Sequence, residues 1–574
     1  MQLSRLLFLI ALVLLPPCLL STTWLYLYPQ LHSCAFPTPN GDNNNNHNIS
    51  RKQPHPHEAP FRLLALGDPQ LEGDSSLPSP DEPLLPSLSD LFSASTFPDL
   101  KSALHSLLTA DVPAAFHSQR KRLDLLGNDY YLAHIVRSLR RHTHPTHVAV
   151  LGDLLGSQWV SDEEFERRAG RYWGRVFKGM ERVPEGYMWG DDRSKWESKR
   201  EVLGADEKWE DRVINIAGNH DVGYAGDLDE DRVERFERAF GRVNWDLWLE
   251  YPAADEKISI YNDDAHDGQE EESRDDVPAL RLVILNTMNI DVPALSDDLQ
   301  RSTYDFLNHI ITTSLPVESS SHSTVLLTHI PLHKESGTCV DAPLFTFFSG
   351  HPQGIKEQNM LSEHSSKTIL EGIFGLSGNA DGPNRGLGRK GVIINGHDHE
   401  GCDVIHYHSS LPWSPNAVDE RNEDSAETYC ETSPAGDAIC YGNATSPQDN
   451  DSPPSWRAIR TPSLPPRLPL TSPPPNNDPI PSLREVTLRS MMGSFGGRAG
   501  FLSAWYDTES REWRLEIASC GLGVQHWWWG VHIADFVLVL VAVSAVMAWG
   551  VERVVGGGGA AVVDGKEKEE KGKG

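Results

Sequence analysis

Six short apolar runs punctuate the 574-residue chain, and most break off at a polar cluster: "FRLLALGD", "HVAVLGD", "RVINIAGNHD", "LRLVILNT", "STVLLTHIP" and "GVIINGHDH". They are continuous rather than alternating, which predicts strands buried on both faces. Between them the spacing changes to that of helices. "SDDLQRSTYDFLNHII" offers Ser296 as N-cap and puts Leu299, Thr303, Phe306, Leu307, Ile310 and Ile311 on one face. "LDLLGNDYYLAHIVRSLRRH" reads as a second helix, with basic residues in its last turn. Strand–helix alternation predicts an α/β fold with helices on both faces. Late in the chain, "REVTLRSMMGSFGG" and "GFLSAWYDTESREWRLEIAS" read as strands joined by turns, part of a further sheet.

The two ends have another pattern. "LLFLIALVLLPPCLLSTTWLYLY", residues 6–28, carries no charge and is long enough to cross a bilayer. A cleaved signal peptide with Leu6–Leu15 as its apolar core is the rival reading. No small-x-small cleavage site directly follows that core, and Trp24, Tyr26 and Tyr28 suit a membrane interface, so an uncleaved signal anchor is favoured. "WWWGVHIADFVLVLVAVSAVMAWG" predicts a second span at 528–550, with His532 and Asp535 near its first edge, where polar groups cost less than at the midplane. Arg5 precedes the first span; Arg553 and four lysines follow the second. Basic flanks predict cytosolic tails, 551–574 among them, and a lumenal middle. Six of the seven cysteines (Cys34, Cys339, Cys402, Cys430, Cys440 and Cys520) fall in that middle, an even number suited to an oxidising space. So do the sequons Asn48-Ile49-Ser50, Asn443-Ala444-Thr445 and Asn450-Asp451-Ser452.

Composition divides the middle further. Residues 29–60, rich in Asn, His and Pro, read as a stalk that lifts a lumenal domain at 61–520 off the membrane. Residues 73–120 read as a partly ordered insertion, and the proline-rich 409–482 as a long loop unable to pair as central strands. The formal charge of −30, from 51 basic and 81 acidic residues, argues against nucleic acid or an anionic surface as partner.

In an open α/β sheet, functional groups gather beyond the carboxyl ends of strands. Five of the six runs end in groups able to bind metal: Asp68 with Gln70; Asp153; Asn219 with His220 and Asp221; His329; and His397 with His399. Singly, each is a turn former or a surface polar residue. Together, the order D-x-Q, G-D, G-N-H-D, H, G-H-x-H resembles the calcineurin-like metallophosphoesterases, whose pattern is D-x-H, G-D, G-N-H-[DE], H, G-H-x-H. The resemblance covers residues 61 to about 408. It implies a sandwich of two mixed β-sheets flanked by helices, holding two divalent ions about 3.5–4 Å apart. By the same resemblance Asp153 bridges the ions. One takes Asp68, Gln70, Asp153 and His399; the other takes Asp153, Asn219, His329 and His397. His220 protonates the leaving oxygen or steadies the phosphoryl charge, and Asp221 is placed to orient its ring. Water, its pKa lowered by the cations from 15.7 towards about 7, is the nucleophile. Gln70 departs from the usual histidine; an amide oxygen is a harder donor, which favours Mn²⁺ or Mg²⁺ over Zn²⁺.

His142, His144 and His147 read as a solvated loop cluster, while one of His406 and His408 could stand behind the metal ligands. With His329 and His399 at one metal pair, Cys339 and Cys402 become candidate disulfide partners; Cys430 and Cys440 are a second pair. Gly156 stands where purple acid phosphatases carry a tyrosine. "LGDPQLEGD", "LDLLGNDYYLAHI", "GHDHEGC" and "LRSMMGSFGGRAGFLSAWY" resemble the fungal endoplasmic-reticulum Ted/Cdc group, which shares the D-P-Q motif. That resemblance implies hydrolysis of an ethanolamine-phosphate branch from a mannose of glycosylphosphatidylinositol (GPI) anchors, before export of GPI-anchored proteins from the endoplasmic reticulum. It also makes p24-type cargo receptors candidate partners. A lumenal phosphoesterase of other substrate and a non-catalytic cargo adaptor remain open at this stage.

Overall fold

Neighbouring residues of the first apolar run serve different cores. Phe61, Leu63 and Ala65 pack into one buried cluster with Ile214, Leu282, Val325 and Val392, whereas Leu64 and Leu66 join another with Leu132, Val136 and Phe306. A strand buried on both faces needs a layer on each side, which explains its lack of alternation. The computed structural model describes residues 3–39, 58–73, 83–189, 196–252, 277–339, 344–349, 354–408, 429–432, 438–441, 456–461, 480–492 and 496–570; for 429–432, 438–441 and 555–570 it describes the backbone alone.

The layers are two mixed sheets flanked by helices. One contains β1 (Phe61–Leu66), β2 (His147–Val150), β3 (Glu181–Arg182), β5 (Arg212–Asn215), β17 (Arg498–Asp507) and β18 (Glu512–Gly521), in the order β18-β17-β1-β2-β5-β3. The other contains β4 (Lys199–Val202), β6 (Trp245–Glu250), β7 (Ala279–Ile284), β8 (His322–Leu327), β11 (Gly391–Asn395), β12 (Cys402–His408), β15 (Trp456–Arg460) and β16 (Ser482–Thr487). Its order is β15-β12-β16-β11-β8-β7-β6-β4. Two small ribbons complete the strands: β9 (Phe345–Phe347) with β10 (Ile355–Gln358), and β13 (Tyr429–Thr432) with β14 (Ala438–Tyr441). β1, β2 and β5 run parallel, as do β7, β8, β11 and β16, so each sheet gathers its strand ends along one edge. The helix Asp297–Thr312 is capped as its sequence predicts, Ser296 Oγ accepting from Leu299 N at 3.2 Å.

Several expectations change. Within 73–120, the described residues form helices α3 (Ser87–Ser93) and α4 (Phe97–Ser106). A wide turn at Leu107–Asp111 then leads into α5 (Val112–Thr143), which contains the predicted 123–142 helix. Residues 29–39 are no free stalk. A short helix α2 (Tyr28–Leu31) leads to Cys34, disulfide-bonded to Cys520, and Phe36 packs edge-on against Phe501. Inside 409–482, Trp456–Arg460 pairs with β12, but at the sheet edge, where a flanking proline-rich chain is tolerated. His147 is not solvated: it opens β2, buried against Phe61 and Trp209. Cys430 and Cys440 stand opposite each other in the β13–β14 register, though their side chains lie outside the described residues, as do Asn48, Asn443 and Asn450.

Helix α1 (Leu3–Tyr26) and the C-terminal helix (Gln525–Glu570) pack side by side and antiparallel. Ser4 hydrogen-bonds Glu552 at one end, and Thr22 hydrogen-bonds Asp535 towards the other. Both carry stretches long and apolar enough to cross a membrane, and most of that surface is left uncovered. The Cys34–Cys520 bridge ties the end of α1 to the strand that feeds the second helix. Replacing both cysteines by serine is expected to lower stability by about 2–4 kcal/mol, measured by thermal unfolding of the full chain in micelles.

Candidate metal centre

Five chain segments meet at the shared edge of the sandwich. Asp68 follows β1, Asp153 follows β2, Asn219 lies beyond β5, His329 follows β8 and His397 follows β11. The backbone turns abruptly at four of the residues singled out: φ is +39° at Asp68, +38° at Gln70, +50° at Asp153 and +71° at His397. Such conformations cost on the order of 1–3 kcal/mol each and persist only where surroundings over-determine them. Here Gln70 N donates to Asp153 O at 2.8 Å, Leu71 N to Leu154 O at 3.0 Å, and Ser490 Oγ to Asp68 O at 2.8 Å. Two glycines permit the approach. A Cβ on Gly152 would stand 2.2 Å from His329 Nδ1, and one on Gly218 would stand 2.2 Å from Asp153 N.

The hydrogen bonds set the imidazole tautomers. His329 Nδ1–H donates to Leu151 O at 2.6 Å, which leaves Nε2 unprotonated, 3.1 Å from Asn219 Oδ1 and 3.4 Å from Asp153 Oδ1. His397 Nε2–H donates to Gln358 O at 2.7 Å, leaving Nδ1 2.9 Å from the same Asn219 oxygen. Burial holds His329 below the usual imidazole range and, with His329 alongside, takes His397 down to about 3, so neither ring gains a second proton near neutrality. Two ring lone pairs, an amide oxygen and a carboxylate therefore face one another with no proton between them. A half-turn of the Asn219 amide would relieve its contacts with the rings but leave His329 Nε2 against Asp153. A cation satisfies all four groups at once, and this donor set suits a divalent metal. Ligand atoms of Asp153, His329 and His397 all lie within 4.8 Å of one another.

The remaining residues adjoin this cluster. Asp68 is fully buried, accepts from His397 N at 3.1 Å and lies 3.6 Å from His329 Nδ1. Burial and the neighbouring Asp153 push its carboxyl up. At Asp153 burial works in the same direction, but His329, His220 and His397 outweigh it and hold the carboxylate low. The Gln70 amide bridges Asp153 Oδ2 and His399 Nε2, with Nε2 at 2.9 and 3.1 Å; a half-turn would present its oxygen in the same place. His220 N donates to Asp153 Oδ1 at 2.8 Å, while its ring is 37% exposed, with Nε2 3.9 Å from Asp153 Oδ2. Asp221 is placed differently from expectation. Its carboxylate accepts from Gly218, Leu154 and Leu155 N–H groups at 2.9–3.1 Å, so it ties the two turns together rather than steering the His220 ring.

Behind the cluster lies a charged group not anticipated as a unit. Glu485 on β16 is fully buried, with Oε2 2.7 Å from both Lys334 Nζ and His406 Nε2. Its Oε1 accepts from Leu332 N at 2.7 Å and Asn395 Nδ2 at 2.6 Å. Burial would raise this carboxyl, but the Lys334 ammonium and the His406 imidazole hold it far below the usual range. It thereby grips the segment just after His329 and the strand just before His397. His406 is thus the member of the His406/His408 pair that stands behind the cluster, and the Cys339–Cys402 disulfide joins the segment after His329 to β12, the strand that carries His406. A glutamate inside an otherwise strand-like run, "SLREVTL", was the available signal.

No family model matches the chain. It is similar to Protein TED1 of Saccharomyces cerevisiae, 28% identical over 459 residues, which cover 73% of this chain and 77% of that protein. It is also 28% identical over 308 residues to an uncharacterised protein of Schizosaccharomyces pombe, covering 54% of this chain and 61% of its counterpart. The first similarity supports a place in a Ted1-like group.

Two outcomes follow from the geometry. Mn²⁺ at a hundredfold excess over its dissociation constant should stabilise the full chain by about 2.7 kcal/mol in thermal unfolding, and Asp153→Asn should abolish most of that gain. Glu485→Ala, which strands a buried ammonium, should cost about 3–5 kcal/mol in the same assay without added metal.

Proposed function

We propose that this chain is a metal-dependent phosphodiesterase that removes an ethanolamine-phosphate branch from a mannose of GPI anchors in the lumen of the endoplasmic reticulum, and so supports export of GPI-anchored proteins. The observation that carries the hydrolase reading is the convergence of unprotonated acceptors at Asp153, Asn219, His329 and His397. The substrate and compartment rest on the motif resemblance and accord with the similarity to TED1.

In this reading Asn219, His329, His397 and Asp153 would hold one divalent ion, and Asp68, Gln70 and His399 would join Asp153 in holding a second. When bound, such ions supply a water acidic enough to attack phosphorus and positive charge to meet the phosphoryl oxygens. The chain's own groups do the rest. The exposed His220 ring lies beside the carboxylate of Asp153 and reaches solvent, so a substrate oxygen can meet it. In its protonated form Nε2 passes a proton to the sugar oxygen as that oxygen leaves phosphorus. Asp221 fixes the turn that presents His220, and Glu485 fixes the segments that present His329 and His397.

His220→Ala in the purified full chain should lower kcat on a GPI-glycan ethanolamine phosphate by roughly 10²–10⁴-fold while metal content is unchanged. Unaltered turnover on that substrate would overturn the assignment of His220. Equal turnover of generic diesters and the GPI glycan by the unaltered chain would overturn the substrate.

A further inference from the structure

The face of α5 that rests on the apolar helices does not end where they do. Gly127 lies directly under the Trp529 ring, Asn128 hydrogen-bonds Gln525, and Tyr131 packs edge-on against Trp528. Further along, His134 stacks edge-on with Tyr26, and His142 hydrogen-bonds Tyr26 O. These partners all belong to the last turn of α1 or the first turns of the C-terminal helix. α5 therefore lies across the ends of both helices rather than alongside them. Its opposite face, with Leu132, Val136 and Leu139, is buried in the core of the domain.

At 3.6 residues per turn, Phe116, Leu123, Gly127 and His134, separated by seven, four and seven residues, share one side of the helix. The side that meets the two apolar helices thus continues towards the N-terminus as Leu123, Phe116 and Val112, which stay exposed among the described residues: Phe116 is 75% exposed. The pattern extends through the wide turn and α4 as Leu108, Leu104, Leu100 and Phe97, at intervals of three and four, and all are exposed. The wide turn at Leu107–Asp111 absorbs an extra residue and keeps the stripe in line.

We propose that this arm, residues 97–126, lies in the interfacial layer of the bilayer, with its Phe and Leu side chains among the lipid headgroups and upper acyl chains. The inference rests on the two apolar helices crossing a membrane and is independent of the phosphodiesterase reading. α5 is packed between the domain and the plane where those helices end, so the face it turns from the domain is turned to lipid. An amphipathic helix in that position buries its apolar side about 5–10 Å into the boundary. The arm also has a consequence for the site. Arg171 joins Asp129 of α5 to Glu72 O, two residues past Gln70, which sets residue 129 level with the site edge. Residues 112–126 then run about 20 Å beyond that edge, giving it a floor on the membrane side, where a lipid-anchored substrate would lie.

The test uses the full chain in phosphatidylcholine vesicles containing lipid with a nitroxide near the top of the acyl chain. Single cysteines, Phe116→Cys, Leu123→Cys, Ala114→Cys and Leu540→Cys, are made in a Cys18→Ser, Cys430→Ser, Cys440→Ser background and labelled with an environment-sensitive fluorophore. Ala114 is exposed on the opposite side of α5, and Leu540 faces outward from the C-terminal helix. Labels at 116 and 123 should be blue-shifted and quenched several-fold more than the label at 114. If they are quenched no more than 114 while 540 is quenched, the arm stands in water or under another protein, and the proposal falls. If 540 is also unquenched, the membrane reading of the two helices falls, and the proposal with it.

Discussion

Four electron-rich atoms packed together without a proton among them form an arrangement that folding alone does not favour. Asp153, Asn219, His329 and His397 are held in it by bonds made elsewhere. The carbonyls of Leu151 and Gln358 take the imidazole protons, and burial keeps the rings neutral. Mutual repulsion is the cost of a site kept ready for a cation, and the rest of the molecule is arranged to bear it. Parallel strands in two sheets deliver the segments to one edge, glycines let them touch, and the Glu485 group braces two of them from behind.

The same economy explains where strain sits. Asp68, Gln70, Asp153 and His397 share a left-handed backbone, and each lies within four residues of its strand end. A side chain that continued the strand would point into one of the two cores. Reversing the chain at once turns it over the edge instead. The disulfides work at greater range: Cys339–Cys402 closes the segments around the cluster, and Cys34–Cys520 fixes the domain to the base of the two apolar helices.

Much of this was legible in the chain. The six apolar runs are all strands, because residues buried on both faces leave an unmistakable unbroken pattern. The residues at their ends were legible because so few side chains can follow a strand and bind a cation, and the structure brings them to one place. What was missed has physical reasons too. Composition marked 73–120 and 29–60 as loose, yet α4 and α5 form helices with an exposed apolar stripe, and Cys34 and Phe36 dock on residues nearly five hundred positions away. Local sequence carries no record of such distant partners. Glu485 looked like an ordinary strand residue, since its meaning depends on Lys334 and His406, which only the fold supplies. Asp221 looked like a partner for the neighbouring His220, but backbone N–H groups of the second motif reach it first.

Anomalous scattering from a Mn²⁺-soaked crystal of the full chain addresses the central claim most directly. The account requires a strong peak bonded jointly to Asn219 Oδ1, His329 Nε2, His397 Nδ1 and a carboxylate oxygen of Asp153. A crystal soaked to saturation that showed no peak there, with the four groups unmoved, would contradict it.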